Sequence, residues 1–238
     1  MISSWSFSRL TVFEQCKFRA KLQMIDKIPD PTPRPAADRG TEIHQTCEDY
    51  VRGTAALRKE MRHFEEEFVV LRDLFKKGKV SLEGEWGFTK DWEPCDYKKA
   101  WLRAKADAVV WLSPTHVVVI DYKTGKRFGN EVKHGEQLQL YALCMMVRHP
   151  EIERVTVELW YLDQNEMAPL DLRQQPIGHV AGQIRLETQP ARERLFAQRL
   201  GLVALGVVVG KSLVVIFDHV GIPFGGGSSG AFRISDNM

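Results

Sequence analysis

The stretch from Arg103 to Lys123, RAKADAVVWLSPTHVVVIDYK, constrains the fold more than any other part of the chain. It reads as two β-strands joined by a tight turn at Ser113-Pro114-Thr115. On the first strand, Arg103, Lys105, Asp107 and Val109 alternate with Ala104, Ala106, Ala108 and Val110. On the second, Val117, Val119, Asp121 and Lys123 share one face, because side chains repeat every second residue. Pairing symmetric about Pro114 sets Asp107 opposite Asp121, with Cβ atoms about 4.5–5.5 Å apart. Two carboxylates at that distance repel, and one stays protonated unless a cation lies between them. Lys123 joins the same face, so a single hairpin assembles a divalent-metal site with an ammonium group beside it. A register slip of one residue moves Asp107 to the opposite face and removes the site. A D-x-K taken alone is equally the mark of a solvated strand end; the second aspartate in register is what points to chemistry.

The rest of the chain is long enough to bury such a hairpin. Its 238 residues suit one large domain or a domain with an appendage. The formal net charge of +2 is nearly neutral, so a nucleic-acid contact has to come from a local patch. Cys16, Cys47, Cys95 and Cys144 show no paired spacing, which argues for a reducing compartment and against a disulfide framework. The opening MISSWSFSRL has no apolar signal core, and a cytoplasmic location is expected.

Taken in order, Leu10, Phe13, Cys16, Ala20 and Met24 form one helical stripe, with Ser8 as its N-cap. Arg9, Lys17, Arg19, Lys21 and Lys27 surround it, either as a solvated face or as a contact to a DNA backbone. Four prolines between Pro29 and Pro35 make an extended linker. A second helix opens at Asp38 and buries Ile43, Cys47 and Tyr50 or Val51, leaving His44 at the stripe's edge. There it is either a hydrogen-bonded, half-buried histidine or a metal ligand. Leu57 to Phe75 reads as a third helix that is all core, ended by Gly78. Val80 to Phe88 alternates, with Val80, Leu82, Trp86 and Phe88 on one side and Ser81, Glu83 and Glu85 on the other. A largely buried helix follows from about Glu131 to His149, with Gln137 and Tyr141 one turn apart, and Val155 to Leu162 is a strand. From Glu166 the character changes. Leu200 to Phe217 approaches membrane-span length, but three glycines and Lys211 interrupt it, and no membrane association is expected. GVVVGKS at 206–212 has three residues between its glycines where a phosphate loop requires four.

With these residues in hand, the chain from about Ser6 to Asp163 resembles the PD-(D/E)XK nuclease superfamily, in its RecB-like and CRISPR-associated exonuclease branch. SFSRLTVFEQC is similar to that branch's S-x-S-x-L-x-x-F-x-x-C motif, and RGTEIH to its G-x-x-x-H. ADAVVW supplies the first acidic residue, IDYKTGK the D-x-K core, and EQLQLY the trailing Q-x-x-x-Y. The resemblance implies an α/β, restriction-endonuclease-like fold, a mixed central β-sheet flanked by helices. It implies a nuclease domain over residues 1–165 and a divergent tail over 166–238. It also implies metal-dependent hydrolysis of DNA, with His44, Asp107, Asp121 and the Tyr122 carbonyl holding Mg²⁺ or Mn²⁺. In that scheme Asp107, Asp121, Lys123, Gln137 and Tyr141 are catalytic: Lys123 orients or deprotonates the attacking water, and Gln137 and Tyr141 position the DNA backbone or the lysine. Iron–sulfur members of the branch use a cysteine like Cys16 with three more near the C-terminus. None follows Cys144 here, so no cluster is expected. The activity implied is a DNA exonuclease of recombination, repair or phage DNA processing; the alternatives are a structure-specific or nicking endonuclease and an inactive DNA-binding module.

Overall fold

The computed structural model describes residues 2–125 and 128–173, with short strands at Gln175–Pro176, Val207–Val209 and Ser212–Val214 that pair in a small separate sheet. Most of the tail, including the greater part of the apolar run and both glycines of GVVVGKS with its lysine, lies outside the described residues. The centre is a six-stranded sheet built from β1 (Val80–Phe88), β2 (Pro94–Cys95), β3 (Leu102–Ser113), β4 (His116–Lys123), β5 (Arg154–Tyr161) and β6 (Glu166–Arg173). Its order is β2-β1-β3-β4-β5-β6. All neighbours are antiparallel except β4 and β5, which run parallel and are joined through helix α5 (Glu131–Arg148). This is the mixed, helix-flanked sheet of the expected α/β, restriction-endonuclease-like class. Strand β6 belongs to it, so the sheet runs past residue 165, where the nuclease domain was expected to end.

Helices cover both faces. On one, α3 (Pro35–Arg52) and α4 (Glu65–Lys76) bring Ile43, Cys47, Phe68 and Leu71 against Val110, Val118, Ile120 and Trp160. On the other, α5 packs Leu140, Leu143 and Met146 against Val117, Val119, Val155 and Val157. Strands β4 and β5 are buried on both sides, which is why their sequences are near-continuous apolar runs. Against that background the acidic residues of β4 and β5 stand out.

The N-terminal stripe is two helices, not one. Helix α1 (Phe7–Gln15) ends at Cys16, whose extended backbone starts α2 (Lys17–Met24). The cap of α1 is Ser6, which accepts the Arg9 N–H at 3.3 Å, rather than Ser8. Trp5 docks beside β3: its N–H donates to the Trp101 carbonyl at 2.6 Å, and its own carbonyl accepts the Arg103 N–H at 2.8 Å. Helix α3 begins at Pro35, three residues before Asp38; proline suits the first helical position, where its missing N–H has no partner to lose. The expected third helix divides into a 3₁₀ turn at Lys59–Phe64 and α4.

The alternation in β1 and β3 also breaks. Val80 and Leu82 face α3 and α4, but Trp86 and Phe88 face the α5 side. Ala108 and Val110 share the first face, Ala104 and Ala106 the second. The change falls where Glu83, at φ +52°, sits between the pairs Leu82↔Ala108 and Gly84↔Ala106, across from Asp107. A left-handed non-glycine residue turns the strand about its axis there, which simple period-two counting cannot foresee.

Candidate active site

Strand β4 emerges from the core at Asp121-Tyr122-Lys123, and its pleat sends Asp121 and Lys123 toward α5 and Tyr122 toward α3. On the α5 side the groups form a closed network. Lys123 Nζ lies 2.5 Å from Asp121 Oδ2 and donates to Gln137 Oε1 at 2.8 Å. Gln137 Nε2 donates to the Tyr141 hydroxyl oxygen at 2.7 Å and reaches Asp121 Oδ1 at 3.4 Å. The Tyr141 hydroxyl donates to Asp121 Oδ1 at 3.3 Å. Gln137 and Tyr141 reach the same carboxylate because they lie four residues apart on one helix. Burial first, and then the neighbouring Asp121 and Asp107 charges, raise the Tyr141 hydroxyl well above its ordinary pKa, so it stays a neutral donor.

The α3 side holds a second pair. His44 Nδ1 and Asp107 Oδ1 are 3.0 Å apart, and Asp107 Oδ2 accepts the Tyr122 N–H at 2.7 Å. Tyr122 presents its ring edge-on to His44 and packs against Phe68 and Trp160, an aromatic wall that sets the imidazole's position. Burial lowers the His44 pKa, but the hydrogen bond and charge of Asp107, with Asp121 behind it, outweigh this and raise it. Asp107 is raised too, by burial foremost and by the Asp121 charge, against the pull of His44 and the Tyr122 N–H. Each shift thus follows from the contact between His44 and Asp107 and from the burial around it.

The expected register is correct from Trp111↔Val117 to Ala108↔Ile120, pairs that are symmetric about Pro114. The ladder stops one step short of Asp107 and Asp121. There the Asp107 carboxylate takes the Tyr122 N–H in place of a main-chain acceptor, and its other oxygen turns to His44. Asp107 thus leaves the ladder for the Tyr122 N–H and His44, while Asp121 is held by Lys123, Gln137 and Tyr141. The structure brings His44, Asp107, Asp121, Lys123, Gln137 and Tyr141 into two adjoining clusters, with Tyr122 between them.

Whether this donor set suits a divalent cation is tested by its loose ends. Asp121 Oδ2 is buried and accepts no directed hydrogen bond, having only the Lys123 ammonium beside it. Two carboxylates, an imidazole and a main-chain carbonyl are donors that hard cations take. Among the described residues no three His, Cys, Asp or Glu side chains are drawn together as a ready metal cluster. His44 and Asp107 are bonded to each other, and any cation taken by both would have to displace that contact. In chemical type these donors suit a hard divalent cation.

Sequence reasoning missed three residues at the rim. Arg39 makes a two-armed contact with Asp163 at 2.9 and 2.8 Å, Asp163 also accepts the Gly125 N–H, and Gln164 donates to the Gly125 carbonyl. Their only signal is position: Arg39 stands next to the glycine of G-x-x-x-H, and Asp163 follows the last strand residues. Among the described residues no helix is long and apolar enough to cross a membrane.

Comparison with known proteins identifies a family. The sequence model of the PD-(D/E)XK nuclease superfamily matches residues 4–205, a span that includes every residue of both clusters. No curated protein matches the chain. Among solved structures the crystal structure of SSO0001 is similar at 15% identity, covering 79% of this chain and 79% of that one, with a TM-score of 0.38, too slight a likeness to bear on function.

Proposed function

Because the chain belongs to the PD-(D/E)XK nuclease superfamily, a family of phosphodiester hydrolases, we propose that it is a divalent-metal-dependent deoxyribonuclease working from free DNA ends. The observation that carries this is the Asp121–Lys123 pair locked by Gln137 and Tyr141, next to the His44–Asp107 pair. His44, Asp107, Asp121 and the Tyr122 carbonyl would hold Mg²⁺ or Mn²⁺. When bound, such an ion acidifies a water and neutralises charge on the scissile phosphate.

The protein's own groups do the rest. Lys123 is restrained by Asp121 and Gln137, so its ammonium is aimed before substrate arrives. It orients the attacking water and stabilises the negative charge that develops on the phosphate. Gln137 and Tyr141 hold Asp121 Oδ1 and the Lys123 ammonium faces Oδ2, so an ion at Oδ2 would share that oxygen with the ammonium. The free-end preference rests on the resemblance to the RecB-like branch, chiefly the N-terminal motif that docks beside β3 and the G-x-x-x-H of α3. The activity is assigned to the six-stranded sheet, β6 included, and the helices that cover it.

The test compares end-labelled linear DNA with covalently closed circular DNA, each with Mg²⁺, Mn²⁺ or EDTA. Degradation of the linear substrate alone, abolished by EDTA, is expected. Closed circles cut as fast as linear DNA is degraded would make the protein an endonuclease. Binding without cleavage in any metal would make it an inactive DNA-binding module.

A further inference from the structure

The turn between β5 and β6 grips the chain just beyond Lys123. The Leu162 N–H donates to the Lys123 carbonyl at 3.0 Å. Asp163 Oδ2 accepts the Gly125 N–H at 2.8 Å, and Gln164 Nε2 donates to the Gly125 carbonyl at 2.7 Å. Gly125 has φ +98°, a left-handed conformation that side-chain-bearing residues rarely adopt. The same Asp163 carboxylate receives both arms of the Arg39 guanidinium, at 2.9 and 2.8 Å, a fork-on-fork geometry with directional specificity. That hydrogen bonding, with the Gly125 N–H, holds the Asp163 carboxyl below its ordinary pKa.

Arg39 belongs to α3, the helix that carries His44. The helix runs hard against the same loop one residue on: a Cβ at Gly40 would lie 3.1 Å from Thr124 Oγ1. Thus α3, the chain leaving Lys123 and the β5–β6 turn meet at one carboxylate. The Arg39 and Asp163 side chains are 45% and 28% exposed. A pair that open to solvent adds little to folding, so its two-point geometry needs another use.

We propose that Asp163 is a positioning residue of the active site, tying α3 and its His44 to the chain that leaves Lys123 and so fixing the separation of the two clusters. This rests on the hydrolase reading above. Groups that hold ligands in place from outside typically change metal affinity or activity by about 10–100-fold when removed. The loss here should fall in that range.

The experiment takes the full chain as wild type, Arg39→Ala, Asp163→Ala, Asp163→Asn and the double alanine variant. It measures amide exchange at Gly125, Mn²⁺ affinity by calorimetry, single-turnover cleavage of end-labelled linear DNA, and the thermal midpoint. In both single alanine variants Gly125 should exchange about tenfold faster or more, while Val118 and Ile120 in the core of β4 keep their rates. Mn²⁺ affinity and cleavage should each fall about 10–100-fold, with the midpoint within about 4 °C of wild type. The double variant should be no worse than the single ones, as for two residues in one contact. Asp163→Asn keeps an acceptor for Gly125 and should lie between. Unchanged Gly125 exchange overturns the proposal. So does faster exchange with wild-type Mn²⁺ affinity and cleavage, or a loss of all properties in step with a large fall in midpoint. Failure of the wild type itself to bind Mn²⁺ or cleave DNA is a different result: it removes the hydrolase reading, and the positioning role with it.

Discussion

The two clusters at the end of β4 are built in different ways. On the α5 side, Asp121, Lys123, Gln137 and Tyr141 come from two neighbouring elements and are spaced two and four residues apart. Strand and helix periodicity alone brings them together. On the α3 side, His44 and Asp107 come from elements far apart in the chain, and three things outside any local pattern align them. These are the aromatic wall of Tyr122, Phe68 and Trp160, the break in pairing at Glu83 and Asp107, and the Arg39–Asp163 contact. Local geometry is robust to change elsewhere; a cluster assembled across the fold depends on everything that holds its parts at the right distance.

The largest expected effect comes from the locally built cluster. Asp121→Asn keeps the shape and hydrogen-bonding capacity but removes the charge that Oδ2 offers to a hard cation. Single-turnover cleavage should fall by more than the roughly 10²–10³-fold typical of losing one transition-state donor. Lys123→Ala removes such a donor, and its cleavage rate should fall within that range. DNA binding measured by filter retention should survive both changes, because backbone contacts are shared among many basic residues.

The comparison is sharpened on the other side. His44→Ala leaves Asp107 with the Tyr122 N–H as its remaining partner in the site. Cleavage should fall about 10–100-fold, and saturating Mn²⁺ should recover part of it, because one ligand of several has gone. A His44→Ala variant as inactive as Asp121→Asn at every Mn²⁺ concentration would erase the distinction between the two clusters. Tyr141→Phe is expected to act more weakly. It deletes a donor to Asp121 and an acceptor from Gln137, and steady-state assays should show a loss of about tenfold.

The smallest effect on cleavage, with a clear one on stability, belongs to Glu158. It lies in β5 with no exposed surface, and only Oε2 has a hydrogen-bond donor, the Trp160 indole at 2.9 Å. Burial, partly offset by that hydrogen bond and reinforced by Glu67, pushes its carboxyl up to about 7 from an ordinary 4.5. The folded state therefore holds the proton more tightly than the unfolded chain. Its stabilising effect is complete below pH 4.5, declines as pH rises to about 7, and is absent above. The integrated loss is about 3 kcal/mol. Glu158→Gln should flatten that slope in urea unfolding measured from pH 4 to 8 and leave cleavage at pH 8 unchanged. An identical pH slope in the variant would show that Glu158 ionises elsewhere in the range.

What the sequence revealed follows the same division. The hairpin register, the burial of Ile43, Cys47 and Val51, and the shared face of Gln137 and Tyr141 are all periodic features, and periodicity is legible in one chain. The α/β class came from the family resemblance, which the motif residues carry. The placement of Asp107 was not legible, because a left-handed glutamate across the pair turns both strands, and nothing in VSLEGEW marks which residue will do so. The break at Cys16 was hidden because Leu10, Phe13, Ala20 and Met24 continue one stripe across it. Strand β6 was missed because EMAPLDLR carries a proline; it lies at the sheet edge, where a missing N–H is tolerated. Arg39 and Asp163 belong to no repeat, and only the folded chain brings them into contact.

The central claim is that Asp121 serves the metal and Lys123 serves the reaction. Calorimetric Mn²⁺ titration of wild type, Asp121→Asn and Lys123→Ala, each paired with single-turnover cleavage, tests it most directly. The account predicts that Asp121→Asn loses both Mn²⁺ binding and cleavage, whereas Lys123→Ala binds Mn²⁺ at least as tightly as wild type, having lost a nearby cation, and still fails to cleave. Lys123→Ala cleaving at the wild-type rate, or Asp121→Asn binding Mn²⁺ normally while inactive, would contradict it.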